Sequence, residues 1–176
     1  MWVAVVGPSG AGKDTLLAEA RLALAANPRF HFARRVISRP AGVGVEAHEF
    51  LATEAFPAAD LAVRWGAHGL LYGIRREETR LAPVTVMSLS RAVLPEVAVA
   101  NPLSVIEVTA PAGVLAQRLG ARGREGAEDI AARLAREVPL PDELNTRRVM
   151  NDGTVTEGAA RLLAALQACA EAEIRR

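Results

Sequence analysis

Of the 21 basic residues in this chain of 176, Lys13 alone is lysine and the other twenty are arginine. Lys13 closes the run Gly7-Pro8-Ser9-Gly10-Ala11-Gly12-Lys13, with Asp14 and Thr15 next, which fits the spacing G-x-x-x-x-G-K. Glycines so spaced let successive backbone N–H groups converge on a polyphosphate, and a helix starting beyond them adds its partial positive charge. A lysine there reaches the β- and γ-phosphates as a mobile point charge, a task the rigid guanidinium fork performs poorly. The chemistry implied is capture of a nucleoside triphosphate such as ATP and transfer of its terminal phosphoryl group. One position departs from the pattern. A Ser or Thr hydroxyl ordinarily follows the lysine and meets Mg²⁺, and here that place holds Asp14, with Thr15 one further on. Either could serve the metal, the carboxylate through a metal-bound water and Thr15 after a slight rotation.

A second cationic group, Arg118, Arg122, Arg124, Arg133 and Arg136, gathers around Gly120 and Gly123. Phosphoryl transfer asks little covalent work of a protein; rate comes from positioning and from cations, and one arginine finger is worth about 10³–10⁵. A glycine-broken, Arg-rich helical hairpin suits a mobile lid whose catalytic cations are Arg122, Arg124 and Arg133. The competing reading is a solvated helix face, because Glu125, Glu128 and Asp129 stand nearby to pair with arginines. The phosphate loop upstream favours the lid.

The elements that must position these groups alternate. Residues 2–6 are a short apolar run ending at Gly7, the pattern of a strand buried on both faces. Asp14–Ala26 follows as a helix, with Leu16, Leu17, Ala20 and Leu24 at helical spacing and Asn27-Pro28 as its stop. Further buried strands are expected at Val84–Ser88 and Ser104–Thr109, and a weaker one at Arg148–Asn151. Helices are expected over about 90–100, 111–121, 127–138 and 157–173. Alternation of β and α argues for an α/β domain with a parallel sheet covered on both faces, the three-layer P-loop architecture. Residues 30–82, richer in aromatic residues and glycine, break the alternation and read as an insertion over the sheet edge. The expected division is one domain over 1–176: a core of 1–29, 83–117 and 139–176, an acceptor-binding insertion at 30–82, and a lid at 118–138.

Composition sets the outer limits. A formal charge of +1 and pI of 8.0 give no general attraction to nucleic acid or to an acidic membrane. No apolar run is long enough to span a bilayer, and the N-terminus lacks the pattern of a signal peptide, so the expected compartment is the cytoplasm. A single cysteine, Cys169, excludes an internal disulfide and reads as a buried apolar filler. His31 reads as a surface residue, and no histidine pair has zinc-ligand spacing. A homodimer is compatible with the chain, though no motif demands one.

Beyond the loop, distinctive stretches recur together: Arg35-Val-Ile-Ser38-Arg39, Glu46-Ala-His48, Trp65-Gly-Ala-His68-Gly-Leu-Leu-Tyr72-Gly73, Ser90-Arg91-Ala-Val-Leu94, Arg122-Gly-Arg-Glu125 and Asn151-Asp-Gly153. With them the chain resembles the guanylate kinase branch of the P-loop kinases, and more closely the ribose 1,5-bisphosphate phosphokinases, guanylate-kinase-like enzymes of phosphonate utilisation. The resemblance covers nearly the whole chain. It implies ATP with Mg²⁺, a small phosphorylated sugar as acceptor, and 5-phospho-α-D-ribose 1-diphosphate (PRPP) as product. It also implies acceptor contacts from Ser38, Arg39, His48, His68, Tyr72 and Arg91, with Asn151 on the nucleotide side; for His48 and His68, structural hydrogen bonding is the equal alternative. Trp65 is read as packing.

The contrast with guanylate kinases themselves lies in spacing. Their guanine-reading glutamate falls at Val63, the tyrosine of their Asp-Tyr-His segment is replaced at Ala47, and Arg39-Pro40 is followed by Ala-Gly where they carry a second arginine. A site stripped of its donors and acceptors does not select guanine. There are departures from the closer family too: Ser88-Leu89 replaces its usual Asn-Gly, and the strand ending at Ser88 lacks a Walker-B aspartate. Two alternatives accompany this reading: a kinase of GMP or another nucleoside monophosphate, and a catalytically silent guanylate-kinase-like module that binds a protein.

Overall fold

The computed structural model describes residues 1–40, 48–121, 140–141 and 143–174. In chain order, β1 (Trp2–Val6), α1 (Lys13–Ala23), β2 (Phe30–Phe32), β3 (Arg35–Ile37), β4 (Glu49–Phe50), β5 (Leu61–Ala67) and β6 (Leu70–Arg75) form the first half. The second half holds β7 (Val84–Ser88), α2 (Leu94–Ala100), β8 (Leu103–Thr109), α3 (Ala112–Ala121), β9 (Thr146–Met150) and α4 (Val155–Ile174). Five strands make a parallel sheet in the order β2-β7-β1-β8-β9. The connection after β1 runs leftward to β2, whereas the one after β7 runs rightward to β8. β1 is thus the topological switch point, and open α/β sheets bind their ligands beyond the carboxyl end of the strand at that place.

Period-two alternation sorts the strand residues between the two faces. Val3, Val5, Ile106 and Val108 meet Leu16 and Ala20 of α1, Leu115 of α3, and Leu162 and Leu166 of α4. Ala4, Val6, Met87 and Val105 turn the other way, onto Leu94 and Val97 of α2 and onto Val63 and Ile74 of a second sheet. The three layers follow from these two sets of buried side chains. Cys169 lies in the first set, where burial pushes its thiol pKa up and leaves it an inert filler.

The second sheet, ordered β4-β3-β6-β5, comes from the segment expected as an insertion. β5 and β6 form a hairpin closed by His68 and Gly69, both at positive φ (52° and 72°), which is the geometry of a two-residue turn that matches strand twist. Glu49 of β4 is tied to Arg75 of β6 by hydrogen bonds, which hold its carboxyl below the usual range.

Two expected boundaries move. β2 pairs with β7 through Phe30–Val84 and Phe32–Val86, and both phenylalanines pack on the main core, so the core continues three residues into the expected insertion. α3 runs unbroken to Ala121, and Arg118 on it donates to the Asn151 carbonyl at 2.9 Å, which fixes the first residues of the expected lid to the core. Residues 122–138, with Arg122, Arg124 and Arg133, lie outside the described residues, as does Glu46.

Candidate active site

The phosphate loop stands where the switch point predicts. Gly7 follows β1 directly, Ala11 N–H donates to Pro8 O at 3.2 Å to close the turn, and Gly12 is the N-cap of α1 at φ 85°. Lys13 Nζ donates to the carbonyls of Gly7 at 3.0 Å and Pro8 at 3.5 Å, so the ammonium lies along the rim of its own loop. Ala11 is fully buried, and the loop backbone is held from beneath. Asn151 supplies that support: its Nδ2 donates to Ala11 O at 2.7 Å, while its own N–H reaches Thr109 O at 2.7 Å.

Asn151 therefore differs from its expected place beside the nucleotide. Its side chain is buried, and its Nδ2 is spent on a carbonyl of the loop. His48 and His68 change as well. His48 is 7 % exposed and bonds through Nε2 to the Arg39 carbonyl at 2.9 Å, which anchors the chain around Arg39. His68 is exposed at the tip of the β5–β6 hairpin, where its positive φ is its structural task. Ser38 prolongs the β3–β6 ladder, its N–H donating to Leu71 O and its Oγ accepting from Leu71 N–H, each at 2.9 Å.

Arg39, Tyr72 and Arg91 fare differently. Arg39 leaves its Nε buried without a hydrogen-bond partner among the described residues, and Ser88 Oγ at the carboxyl end of β7 is in the same state. Unpaired buried donors are costly, and a polar ligand would offset that cost. Tyr72 stacks on Trp65 across the hairpin, centroids 5.4 Å apart and planes 9° apart. Trp65 also packs against the apolar cluster, in keeping with its expected role. Val63, where guanylate kinases would read guanine, is a core residue of that cluster and offers no polar group.

Arg91 donates to Glu107 Oε1 at 2.9 Å, and Arg148 donates to Oε2 at 2.8 Å. Glu107 sits on β8 beside Val6, one residue before the loop, and is 8 % exposed. One buried carboxylate thus sets two guanidinium groups at the carboxyl edge of the sheet. A second missed residue is Arg35, whose NH2 stands 3.4 Å from Asp14 Oδ1 and whose guanidinium lies over the Tyr72 ring. Glu107 carried a sequence signal, a charge inside an otherwise buried strand. Arg35 carried none beyond its place in a distinctive stretch.

A glycine-rich loop closed by lysine at the switch point of a parallel sheet, faced by a small antiparallel hairpin, defines a P-loop phosphotransferase of guanylate-kinase type. Solved structures agree on the fold. Guanylate kinase from Anaplasma phagocytophilum matches with TM-score 0.61 at 16 % identity over 96 % of this chain and 85 % of its own. A gluconokinase from Sinorhizobium meliloti matches with TM-score 0.57 at 18 % identity over 98 % and 94 %. No family model matches the chain. Among curated proteins, ribose 1,5-bisphosphate phosphokinase PhnN of Methylobacterium radiotolerans is 43 % identical over 95 % of this chain and 97 % of its own. The PhnN of Pseudofrankia inefficax is 47 % identical over 92 % and 88 %. A bifunctional ribose 1,5-bisphosphokinase-thymidine phosphorylase of Azorhizobium caulinodans is 46 % identical over 93 % of this chain, which spans 25 % of that longer protein. The chain belongs to the ribose 1,5-bisphosphate phosphokinase family, and it is a kinase.

Proposed function

We propose that this chain transfers the γ-phosphoryl group of ATP to the 1-phosphate of ribose 1,5-bisphosphate, releasing ADP and PRPP for phosphonate breakdown in the cytoplasm. The observation that carries the reading is the intact donor loop, with Lys13 Nζ over the Gly7 carbonyl, in a chain 43 % identical to a PhnN over nearly all of both sequences. The attacking atom is a phosphate-monoester oxygen, whose second pKa is near 6. It is already largely anionic at neutral pH, so the reaction needs no general base. What remains is to bring two polyanions together and to shield the charge between them.

Lys13 and the loop amides would hold the donor phosphates. Arg39, with its unsatisfied buried Nε, would take an acceptor phosphate, joined by Tyr72 and by Arg91 as set by Glu107. Among the described residues no cluster of three metal-ligating side chains exists. A Mg²⁺ arriving with the nucleotide would be held by Thr15, since the Asp14 carboxylate faces the Arg35 guanidinium at 3.4 Å. When bound, that ion would supply charge neutralisation to the phosphates. Closure of the lid beyond Ala121 would bring Arg122, Arg124 and Arg133 to the transferring group and limit hydrolysis of ATP.

The test is ADP release measured with a panel of acceptors. Ribose 1,5-bisphosphate should be turned over, whereas GMP, AMP and dCMP should not; preference for a nucleotide would move the chain to the nucleoside monophosphate kinases. Arg124→Ala should lower kcat by about 10³-fold with little change in ATP affinity. A loss confined to affinity would remove Arg124 from the transition state.

A further inference from the structure

The carboxylate of Asp14 stands directly beside the lysine that meets the polyphosphate, in a loop built to attract anions. A negative charge in that position opposes the ligand unless a cation compensates it. The compensating cation comes from the other sheet. Arg35 of β3 places its NH2 3.4 Å from Asp14 Oδ1, and its side chain is 15 % exposed against 46 % for Asp14. The same guanidinium lies over the Tyr72 ring at 5.8 Å from its centroid, and Tyr72 stacks on Trp65.

Register explains this alignment. Arg35 pairs with Ile74, Ile37 with Tyr72, and Tyr72 with Trp65, so these side chains share one face of the small sheet. Ile74 and Trp65 on that face pack toward Ala4, Val6 and Met87 of the main sheet. The row therefore faces the main sheet, and Arg35 on it reaches Asp14 at the start of α1. A guanidinium held along one edge by a carboxylate and across one face by an aromatic ring has its plane fixed.

We infer that Asp14 is a positioning residue for Arg35, and that Arg35 binds the acceptor phosphate at the boundary between the two substrate sites. The inference rests on the proposed kinase reading and assigns a task to the one loop residue that departs from the usual pattern. It carries an unusual consequence: a substitution inside the donor loop acts mainly on the other substrate.

The experiment compares the wild-type chain with Asp14→Ala, Arg35→Gln and the double variant. It measures the affinity for ATP with Mg²⁺ by calorimetry, the Mg²⁺ dependence of turnover, and KM for the acceptor that the wild type uses fastest. Asp14→Ala, which removes the carboxylate without adding a hydroxyl for the metal, should leave ATP affinity and Mg²⁺ dependence within about twofold and raise acceptor KM about tenfold. Arg35→Gln should raise acceptor KM at least as much, and the double variant should be no worse than Arg35→Gln alone, because the two residues act as a unit. If Arg35→Gln does not fold, Arg35→Lys, which keeps the charge and loses the planar fork, should still raise acceptor KM. A shifted Mg²⁺ dependence with unchanged acceptor KM would make Asp14 a metal group, and additive effects would uncouple the pair; either overturns the inference while the kinase reading stands. No wild-type turnover with any acceptor overturns both.

Discussion

Replacing Lys13 with alanine should lower kcat by about 10³-fold and leave the fold unchanged. The reasoning begins with what the residue touches. Its ammonium donates to the loop carbonyls of Gly7 and Pro8, and the part-buried side chain belongs to neither apolar cluster of the main sheet. Removing it takes no residue from the packing that sets stability and should cost about 1 kcal/mol, too little to unfold the domain. Catalysis has more to lose. On the proposed mechanism, charge would build on the transferring phosphoryl group beside Lys13, and loss of a single aligned donor at such a place costs about 10²–10³ in rate. A fixed positive charge adds to that loss. Turnover from ADP release, read beside a thermal melt, checks both halves; near-normal activity in a folded variant removes the phosphate loop from the mechanism.

Gly7→Ala should be nearly as severe for a different reason. Gly7 has φ +149°, a conformation L side chains rarely adopt, and a methyl group there would run into the backbone carbonyl of Val108 on β8. Neither side can yield cheaply: Val108 is fully buried in the main sheet, and Gly7 is joined to the equally buried Val6. The loop must then lift away from the sheet, which separates Lys13 from the groups it works with. Strain of this kind costs about 1–3 kcal/mol. For a chain of this length that corresponds to a fall in melting temperature of about 3–10 °C. ATP affinity should fall about 100-fold or more, since the convergence of the loop amides is lost. Calorimetric titration with ATP, paired with a melt, tests the claim; unchanged affinity would mean that the loop tolerates displacement.

The donor side was legible in the sequence because its determinants are local. An apolar run, a glycine turn and a helix with Leu16, Leu17 and Ala20 at the right spacing lie within twenty consecutive residues, and they fold as they read. The acceptor side depends on pairing between distant segments. β3 and β4 have three and two residues, too few to show any period, and β3 joins β6 across more than thirty positions. Individual roles suffered accordingly. The family resemblance implies ligand contacts for His48 and Asn151, and the fold sets His48 Nε2 against Arg39 O and Asn151 Nδ2 against Ala11 O. His68 was claimed by a turn. Arg91 gained a buried partner in Glu107, sixteen residues away, that no motif links to it.

The lone lysine with which the sequence begins its chemistry is thus one part of a wider arrangement of cations. Lys13 stands on the phosphate loop, Arg35 lies on the small sheet with Arg39 just beyond β3, and Arg91 is set by Glu107 at the main sheet's edge. A net charge of +1 conceals this concentration, because Asp14 and Glu107 each hold an arginine in place. Such an arrangement suits two phosphate-bearing substrates and no broadly anionic surface.

The central claim concerns which atom receives the phosphoryl group, and phosphorus NMR reads that directly. The enzyme is incubated with ATP, Mg²⁺ and ribose 1,5-bisphosphate, and the product spectrum is recorded. The account predicts that the 1-phosphate resonance is replaced by two mutually coupled signals of a diphosphate, with the 5-phosphate signal retained and ADP formed in equal amount. An unchanged sugar spectrum, or a phosphoryl group placed on GMP instead, would contradict it.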